Sequence, residues 1–593
     1  MEAVGPAVGN DQLMPSCTLN PCEKISRGIP TQLLNMRNTT GSPNRAQHAS
    51  IISDRYLRDV MKMLYLPLIL FTLLSFQPPG SFGGKILVFP LDGSHWINMK
   101  VLIEELHAKG HEITVIRPSD SWYISEKSPL YTSVTLPYSS GFEENFETYL
   151  FQQLEIRLQG KPTSSWSHIW TQIQIRNVVV EQFTQFHKGM RETIVQMFED
   201  KELMQSLHAA KYDVLLTDPG IGCGAMLARR LQLPLVFNVR WTIQGEAHFL
   251  IAPSPLAYIP FTGTELTDKM TFSERIKNML SYIIGMYTLF HMAETNYKPV
   301  VMKYFGPDVD YSTFFLDADI WLMRNDFVFE FPRPTLPNIV YMGGFQCKPS
   351  KALPDDLETF VQSSGDHGVI VMTLGTLVAK LPQHVTEEIA AAFARLPQKV
   401  IWRYIGQRPT NLGNNTLLVN WLPQNDLLGH PKTRVFVTHG GTNGVQEAIY
   451  HGVPIVGLPL FFDQPDNLFR IKAKGGAVIV DIAMLKRDSF AEALMTALYN
   501  STYRENMQML SRLHRDQPMK PLDQAVFWIE YVIRHKGTRH LQTQSYKMSW
   551  FVYKSLDVIA FLLTVVLLMM LICVSCLRLV WRMIFSGKKV KRE

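Results

Sequence analysis

The chain has 593 residues, 46% hydrophobic and 19% charged, with a formal net charge of +6. That length suits two domains with sizeable cores plus further segments, and so small a charge, scattered outside the C-terminal tail, argues against nucleic acid as a partner. Six cysteines are too few for a disulfide scaffold, and no CxxC…CxxC or HExxH spacing marks a zinc site.

Residues 1–60 are polar and carry no helical or strand period. They are expected to be an alternative or misassigned upstream start, disordered if made, and they contain Cys17 and Cys22. From 64 to 76 the chain is almost wholly apolar, with Lys62 before it and a Gly-rich stretch at 80–84 after it. That is a signal-peptide core within 61–84, too short to span a bilayer.

KILVFP at 85–90 predicts a first buried strand, and the following LDGSHW sets His95 at the strand's C-terminal end. A helix over 102–108 and a second strand over 112–116 complete a βαβ unit. YDVLLTDP at 212–219 is another buried strand, ending in Asp218. His95 and Asp218 therefore come from two strand ends of one sheet and can meet at its edge. A histidine is the side chain best matched to take a proton near neutral pH. An ionised aspartate on its other nitrogen fixes the tautomer and stabilises the imidazolium that forms. The competing roles are a helix-capping histidine and a turn-forming aspartate before Pro219.

Between 123 and 204 lie Tyr138, Phe142, Phe146, Tyr149, Phe151, Trp166 and Trp170, and 270–292 is a second apolar stretch. Such surfaces suit an apolar pocket or a bilayer face, or are core. Asp308-Val309-Asp310 and Asp317-Ala318-Asp319 fit a metal-binding DxD by letters. Such pairs are common by chance and are rejected as ligands. Cys223 and Cys347 remain in the globular part, and their pairing stays open.

The segment 421–464 reads WLPQNDLLGHPKTRVFVTHGGTNGVQEAIYHGVPIVGLPLFFDQ. Val435 to Val437 is a buried strand, Gly440-Gly441 permits a tight turn, and a helix follows over 445–450. A Gly-rich turn into a helix N-terminus holds an anion such as phosphate. Asn443 and Glu447 share one helix face, and Glu447 can accept from ribose hydroxyls. Trp421 can stack on a base, with the amides of Gln424 and Asn425 beside it. The strand at 454–460 delivers Asp463 and Gln464, an acid and an amide suited to sugar hydroxyls. Base, phosphate and sugar together make a nucleotide-sugar site.

Asn414 and Asn500 stand in N-x-T sequons. Residues 558–577 are apolar and uncharged, enough to cross a bilayer. Arg578, Arg582, Lys588, Lys589, Lys591 and Arg592 follow, which sets the tail in the cytosol and the body in the lumen. Lys589 and Lys591 resemble the dilysine retrieval signal of endoplasmic-reticulum membrane proteins.

With these residues in place, the segment 421–464 resembles the signature of the UDP-glycosyltransferases. From about Lys85 onward the chain resembles the vertebrate UDP-glucuronosyltransferases. The resemblance implies a GT-B fold, α/β, with two Rossmann-like domains facing a cleft and a single C-terminal transmembrane helix. The expected division is an acceptor domain with linker at 85–345, a UDP-sugar domain at 346–540, a juxtamembrane segment at 541–557, the span at 558–577 and a basic tail at 578–593. It implies that Trp421 and Gln424 contact base and ribose and that Glu447 contacts ribose. Thr376, Thr438, His439, Asn443 and Gly444 then lie at the diphosphate, and Asp463 and Gln464 at the sugar. It assigns His95 as base and Asp218 as its partner, and sets Arg324 at the position suggested to meet a sugar carboxylate. It further implies UDP-glucuronic acid as co-substrate, no metal or other cofactor, small lipophilic hydroxyl-bearing acceptors, contact with membrane lipid, and homo- or hetero-oligomers by analogy. The alternatives are another UDP-sugar (glucose, xylose, galactose or N-acetylglucosamine) and a catalytically silent UDP-sugar-binding subunit. A nucleotide-dependent oxidoreductase fails because the first strand leads into LDGSHW and not GxGxxG.

Overall fold

The computed structural model describes residues 83–137, 142–159, 165–240, 247–375, 378 and 381–586. The expectations for 1–82 fall outside the described residues, as do Tyr138, Thr376, Lys589, Lys591 and the side chains of Phe142, Phe146 and Trp166.

Two parallel sheets carry the chain. The first holds β1 (Lys85–Phe89), β2 (Glu112–Pro118), β3 (Thr132–Leu136), β4 (Val214–Thr217), β5 (Leu235–Val239), β6 (Ile320–Met323) and β7 (Ile339–Tyr341), in the order β3-β2-β1-β4-β5-β6-β7. The second holds β8 (Val369–Thr373), β9 (Lys399–Arg403), β10 (Thr416–Val419), β11 (Thr433–Thr438), β12 (Ile455–Gly457) and β13 (Ala477–Ile479), in the order β10-β9-β8-β11-β12-β13. β4 and β8 are buried along their whole length. Helices cover both faces of each sheet, so these strands read as continuous Val, Leu and Ile runs without alternation.

Strand order reverses once in each sheet, between β1 and β4 and between β8 and β11. At such a switch point the connections leave in opposite directions and open a crevice beyond the strand C-termini. Phe89 pairs with Thr217, so the residues that follow these two strands enter the same crevice.

Helix α1 (Ser94–Ala108) begins eight residues earlier than its apolar period suggested, and His95 lies in its first turn. α2 (Ser165–Glu199) and α3 (Phe272–Phe305) pack on one face of the first sheet. α3 starts at a capping box in which Thr271 and Glu274 satisfy each other's backbone N–H groups. One side of α3 presents Phe272, Ile283 and Tyr287 to solvent. The second sheet carries α4 (Thr442–His451) and α5 (Gln464–Ala473). α6 (Pro521–His535) follows the second sheet in sequence but packs on the first. Its Ala525, Val526, Ile529 and Val532 are buried with Val88, Leu102, Val214 and Ile320. Thr538 then donates its backbone N–H and hydroxyl to Asp319, locking the return.

α7 (Leu556–Ser586) extends past the apolar run at both ends. Within Leu556–Phe585 an 18-residue window has a mean hydropathy of 3.0 and none of it is buried, so the helix is long and apolar enough to cross a membrane. The DxD aspartates have local duties: Asp310 caps a turn through Ser312, Asp317 pairs with Arg229, and Asp319 holds Leu235 and Thr538. Cys223 and Cys347 are both free thiols.

Candidate active site

His95 and Asp218 meet beyond the paired ends of β1 and β4. The His95 Nδ1 lies 2.6 Å from the Asp218 Oδ2, with the ring 8% exposed and the aspartate fully buried. The other Asp218 oxygen accepts the Gly220 N–H at 2.9 Å. Burial raises the Asp218 carboxyl, but His95, the Arg324 guanidinium and the Gly220 N–H together hold it below its ordinary value. An ionised Asp218 accepts a hydrogen bond from the Nδ1–H, which leaves the lone pair on Nε2. Burial also pulls His95 below 6.5, against Asp218 and with help from Arg324 and Arg240. The ring is therefore neutral near pH 7, which is the state a base requires.

Arg324 follows β6 and is 4% exposed. Its Nη2 lies 3.4 Å from the His95 Nδ1 and 3.7 Å from the Asp218 Oδ2, and its backbone carbonyl accepts from Gln446 at 2.6 Å. Burial pushes it down to about 10, so it remains a cation.

The Gly-rich turn sits at the second switch point. Gly440 has φ +90°, a conformation that side chains other than glycine rarely adopt, and a Cβ there would lie 2.5 Å from the Leu468 Cγ. This turn starts α4 at Thr442, and the free N–H groups of its first turn point out of the sheet edge. Thr438 ends β11, fully buried, and its Oγ1 accepts the Gly440 N–H at 3.4 Å. His439 is half-buried and pushed down to about 4 by burial, hence neutral. Gly444 is buried, and a Cβ there would stand 3.3 Å from both the Gln424 Nε2 and the Phe436 ring.

Gln424 donates from Nε2 to the Glu447 Oε2 at 2.6 Å, so these two expected ribose contacts already stand together. Burial pushes Glu447 up to about 7, opposed by Gln424. Trp421 is 69% exposed, an open ring with Arg403 5.7 Å from its centroid. Asp463 accepts from Thr442 at 3.0 Å and Asn467 at 2.8 Å. Gln464 is mostly buried, and its carbonyl oxygen accepts the Leu460 and Phe461 N–H groups at 2.9 Å. What it can offer a ligand is its NH₂ group. Asn414 and Asn500 are exposed, and Asn500 also caps a helix through the Thr502 N–H.

Two cross-cleft contacts escaped the sequence reading. Asn98 and Asn443 exchange a pair of amide hydrogen bonds at 3.0 and 2.7 Å. Arg240 donates from Nη2 to both Asp463 oxygens at 3.0 Å and from Nη1 to the Ser94 hydroxyl at 3.2 Å. Signals existed for both. Asn98 lies three residues after His95 on one helix, and Arg240 directly follows the strand LVFNV, as Asp218 follows its own.

A family model described as UDP-glucoronosyl and UDP-glucosyl transferase matches residues 84–592. The chain is 45% identical over 510 residues to UDP-glucuronosyltransferase 2C1 of Oryctolagus cuniculus, spanning 85% of this chain and 99% of the relative. It is 43% identical over 518 residues to UDP-glucuronosyltransferase 2A1 of Mus musculus, spanning 86% and 97%. Among solved structures, a UDP-glucosyltransferase from Polygonum tinctorium matches with a TM-score of 0.50 at 16% identity, over 76% of this chain and 99% of that one, a likeness that bears on the fold alone. With two switch-point sheets of the GT-B kind and a family match over nearly all of the chain beyond residue 83, the chain belongs to the UDP-glucoronosyl and UDP-glucosyl transferase family.

Proposed function

We propose that the protein transfers glucuronic acid from UDP-glucuronic acid to the hydroxyl of a small lipophilic acceptor, with inversion at the anomeric carbon. The observation that carries this is the His95–Asp218 pair, held at 2.6 Å and joined across the cleft to the phosphate turn by Asn98 and Asn443. A silent binding subunit has no need of such a base. The relatives' names supply the choice of sugar.

In this reading the acceptor O–H lies between the His95 Nε2 and the anomeric carbon. His95 takes the proton as the oxygen attacks opposite UDP. Asp218 then faces an imidazolium, whose charge it offsets. An α-linked donor becomes a β-glucuronide. The departing diphosphate is met by the N–H groups of the Gly441–Gly444 turn and the positive end of α4, with neutral His439 as a further donor. Trp421 stacks on the uracil, Gln424 and Glu447 bind the ribose, and Asp463 and Gln464 bind the sugar. That donor set stabilises the charge of the leaving group without a cation, which supports a metal-free reaction. The basic residues Arg578 and Arg582 at the end of α7 support a cytosolic tail with the body across the membrane from it.

The test uses the full chain in microsomes with 1-naphthol or 4-nitrophenol, EDTA, and each of five UDP-sugars. The expected result is product with UDP-glucuronic acid, abolished by His95→Ala while UDP still binds. Full activity in that variant refutes the mechanism. Product with another sugar alone refutes the choice of donor.

A further inference from the structure

The turn between β12 and α5 delivers Asp463 and Gln464, and part of what holds it comes from the other half of the chain. Phe462 within it has φ +53°, a left-handed conformation that a bulky side chain keeps only when its surroundings enforce it. On one edge of the turn Gln464 accepts the N–H groups of Leu460 and Phe461. On the other edge the Arg157 Nη1 donates to the carbonyls of Pro459 and Leu460 at 2.8 and 3.0 Å. Arg157 stands on a helix at Phe142–Gln159 that packs on both domains. Its Leu150, Leu154, Arg157 and Leu158 recur at i, i+4, i+7 and i+8, which is one helix face. Leu150 and Leu154 are buried in the core of the second sheet with Leu460, Phe461 and Ile482. Beside that face Gln153 donates to Gln182 of α2 at 3.1 Å, both side chains buried. Phe183, the next residue of α2, sets its ring edge-on to that of Phe462 with centroids 6.3 Å apart.

We propose that Arg157 is a positioning residue for sugar transfer: by bonding the Pro459 and Leu460 carbonyls it fixes this strained turn, and so aims Asp463 and Gln464 at the donor sugar. Leu150 and Leu154 seat the helix, and the guanidinium sets the turn. A half-buried cation on two carbonyls makes charge-assisted hydrogen bonds, stronger than those between neutral groups. The residues assigned to uracil, ribose and diphosphate stand on other elements, at Trp421, Gln424, Glu447 and the Gly-rich turn. Loss of Arg157 therefore weakens the hold on the sugar and leaves the hold on UDP. This inference rests on the reading that Asp463 and Gln464 bind the donor sugar.

The experiment compares full-length wild type, Arg157→Met, Arg157→Lys and Asp463→Asn in microsomes. It reads kcat and KM for UDP-glucuronic acid, KM for one phenol, and the inhibition constant of UDP. Arg157→Met keeps the apolar stem and removes the donors. It is expected to lower kcat/KM for the UDP-sugar about tenfold, the worth of a charge-assisted hydrogen bond, while the phenol KM and the UDP inhibition constant stay within about twofold. Arg157→Lys keeps the charge without the planar fork and is expected to recover part of the loss. If Arg157→Met does not fold, Arg157→Lys carries the same comparison, with a loss of a few-fold expected for the UDP-sugar alone. Wild-type kcat/KM in Arg157→Met overturns the proposal, and so does a UDP inhibition constant that rises in step with the loss. Asp463→Asn separates this failure from that of the underlying reading. Loss of transfer in Asp463→Asn with wild-type behaviour in Arg157→Met overturns the role of Arg157 alone. Wild-type behaviour in both overturns the assignment of the turn to the sugar as well.

Discussion

Replacing Asp218 by Asn tests how the base is built. The change keeps the shape and removes the charge 2.6 Å from the His95 Nδ1. In the transition state the ring becomes an imidazolium, with charge centres about 4 Å from the carboxylate. At an effective dielectric of about 20 that attraction is worth about 4 kcal/mol. At about 1.4 kcal/mol per decade, its loss slows the chemical step by roughly 1000-fold. A tautomer effect acts in the same direction, because an amide NH₂ turned to Nδ1 drives the ring proton onto Nε2 and removes the lone pair that attacks. The assay is kcat for glucuronidation of a phenol in microsomes, with the UDP inhibition constant reporting an intact donor site. A fall of less than tenfold in a variant that binds UDP normally would show that Asp218 only shapes the turn before Pro219, and the base assignment would lose its support.

Further outcomes follow from the same geometry. Activity is expected to fall on acidification with a midpoint below pH 6.5, because burial, Arg324 and Arg240 lower His95 and protonation abolishes the base; a kcat/KM profile whose acid limb has its midpoint at or above pH 6.5 refutes this. Trp421→Ala removes an open stacking face worth about 1–3 kcal/mol and is expected to raise the donor KM with little change in kcat, and a changed kcat at constant KM counts against stacking. Asn98→Ala and Asn443→Ala are each expected to cost about tenfold in kcat/KM, and the double variant hardly more, since the two amides bond each other; strictly additive losses refute the clamp. Gly440→Ala forces a side chain to φ +90° and against Leu468, and a melting temperature within a degree or two of wild type contradicts a cost of about 1–3 kcal/mol.

Short-range physics explains what was legible in the sequence. Runs such as KILVFP, YDVLLTDP and RVFVTHGG combine β-forming residues with a turn or an acid at the end, so strand, strand end and functional side chain are all encoded within about eight residues. The 20-residue apolar stretch near the C-terminus announces its helix for the same reason. From this came the α/β class and the expected phosphate turn, with His95 and Asp218 as the proposed base and its partner.

What the tertiary structure decided are meetings between distant residues. Asn98 and Asn443 are 345 positions apart, and Arg240 and Asp463 are 223 apart. Neither pair has a local period or spacing, because a hydrogen bond across a cleft depends on how two sheets face each other and not on what lies beside each residue in the chain. The return of α6 onto the first sheet is of the same kind. Its apolar stripe shows that it must be buried, and only the competition among exposed sheet faces determines where. Arg324 makes the point at the site itself. Its charge is plain in the sequence, but its closeness to Asp218 and its burial are set by packing.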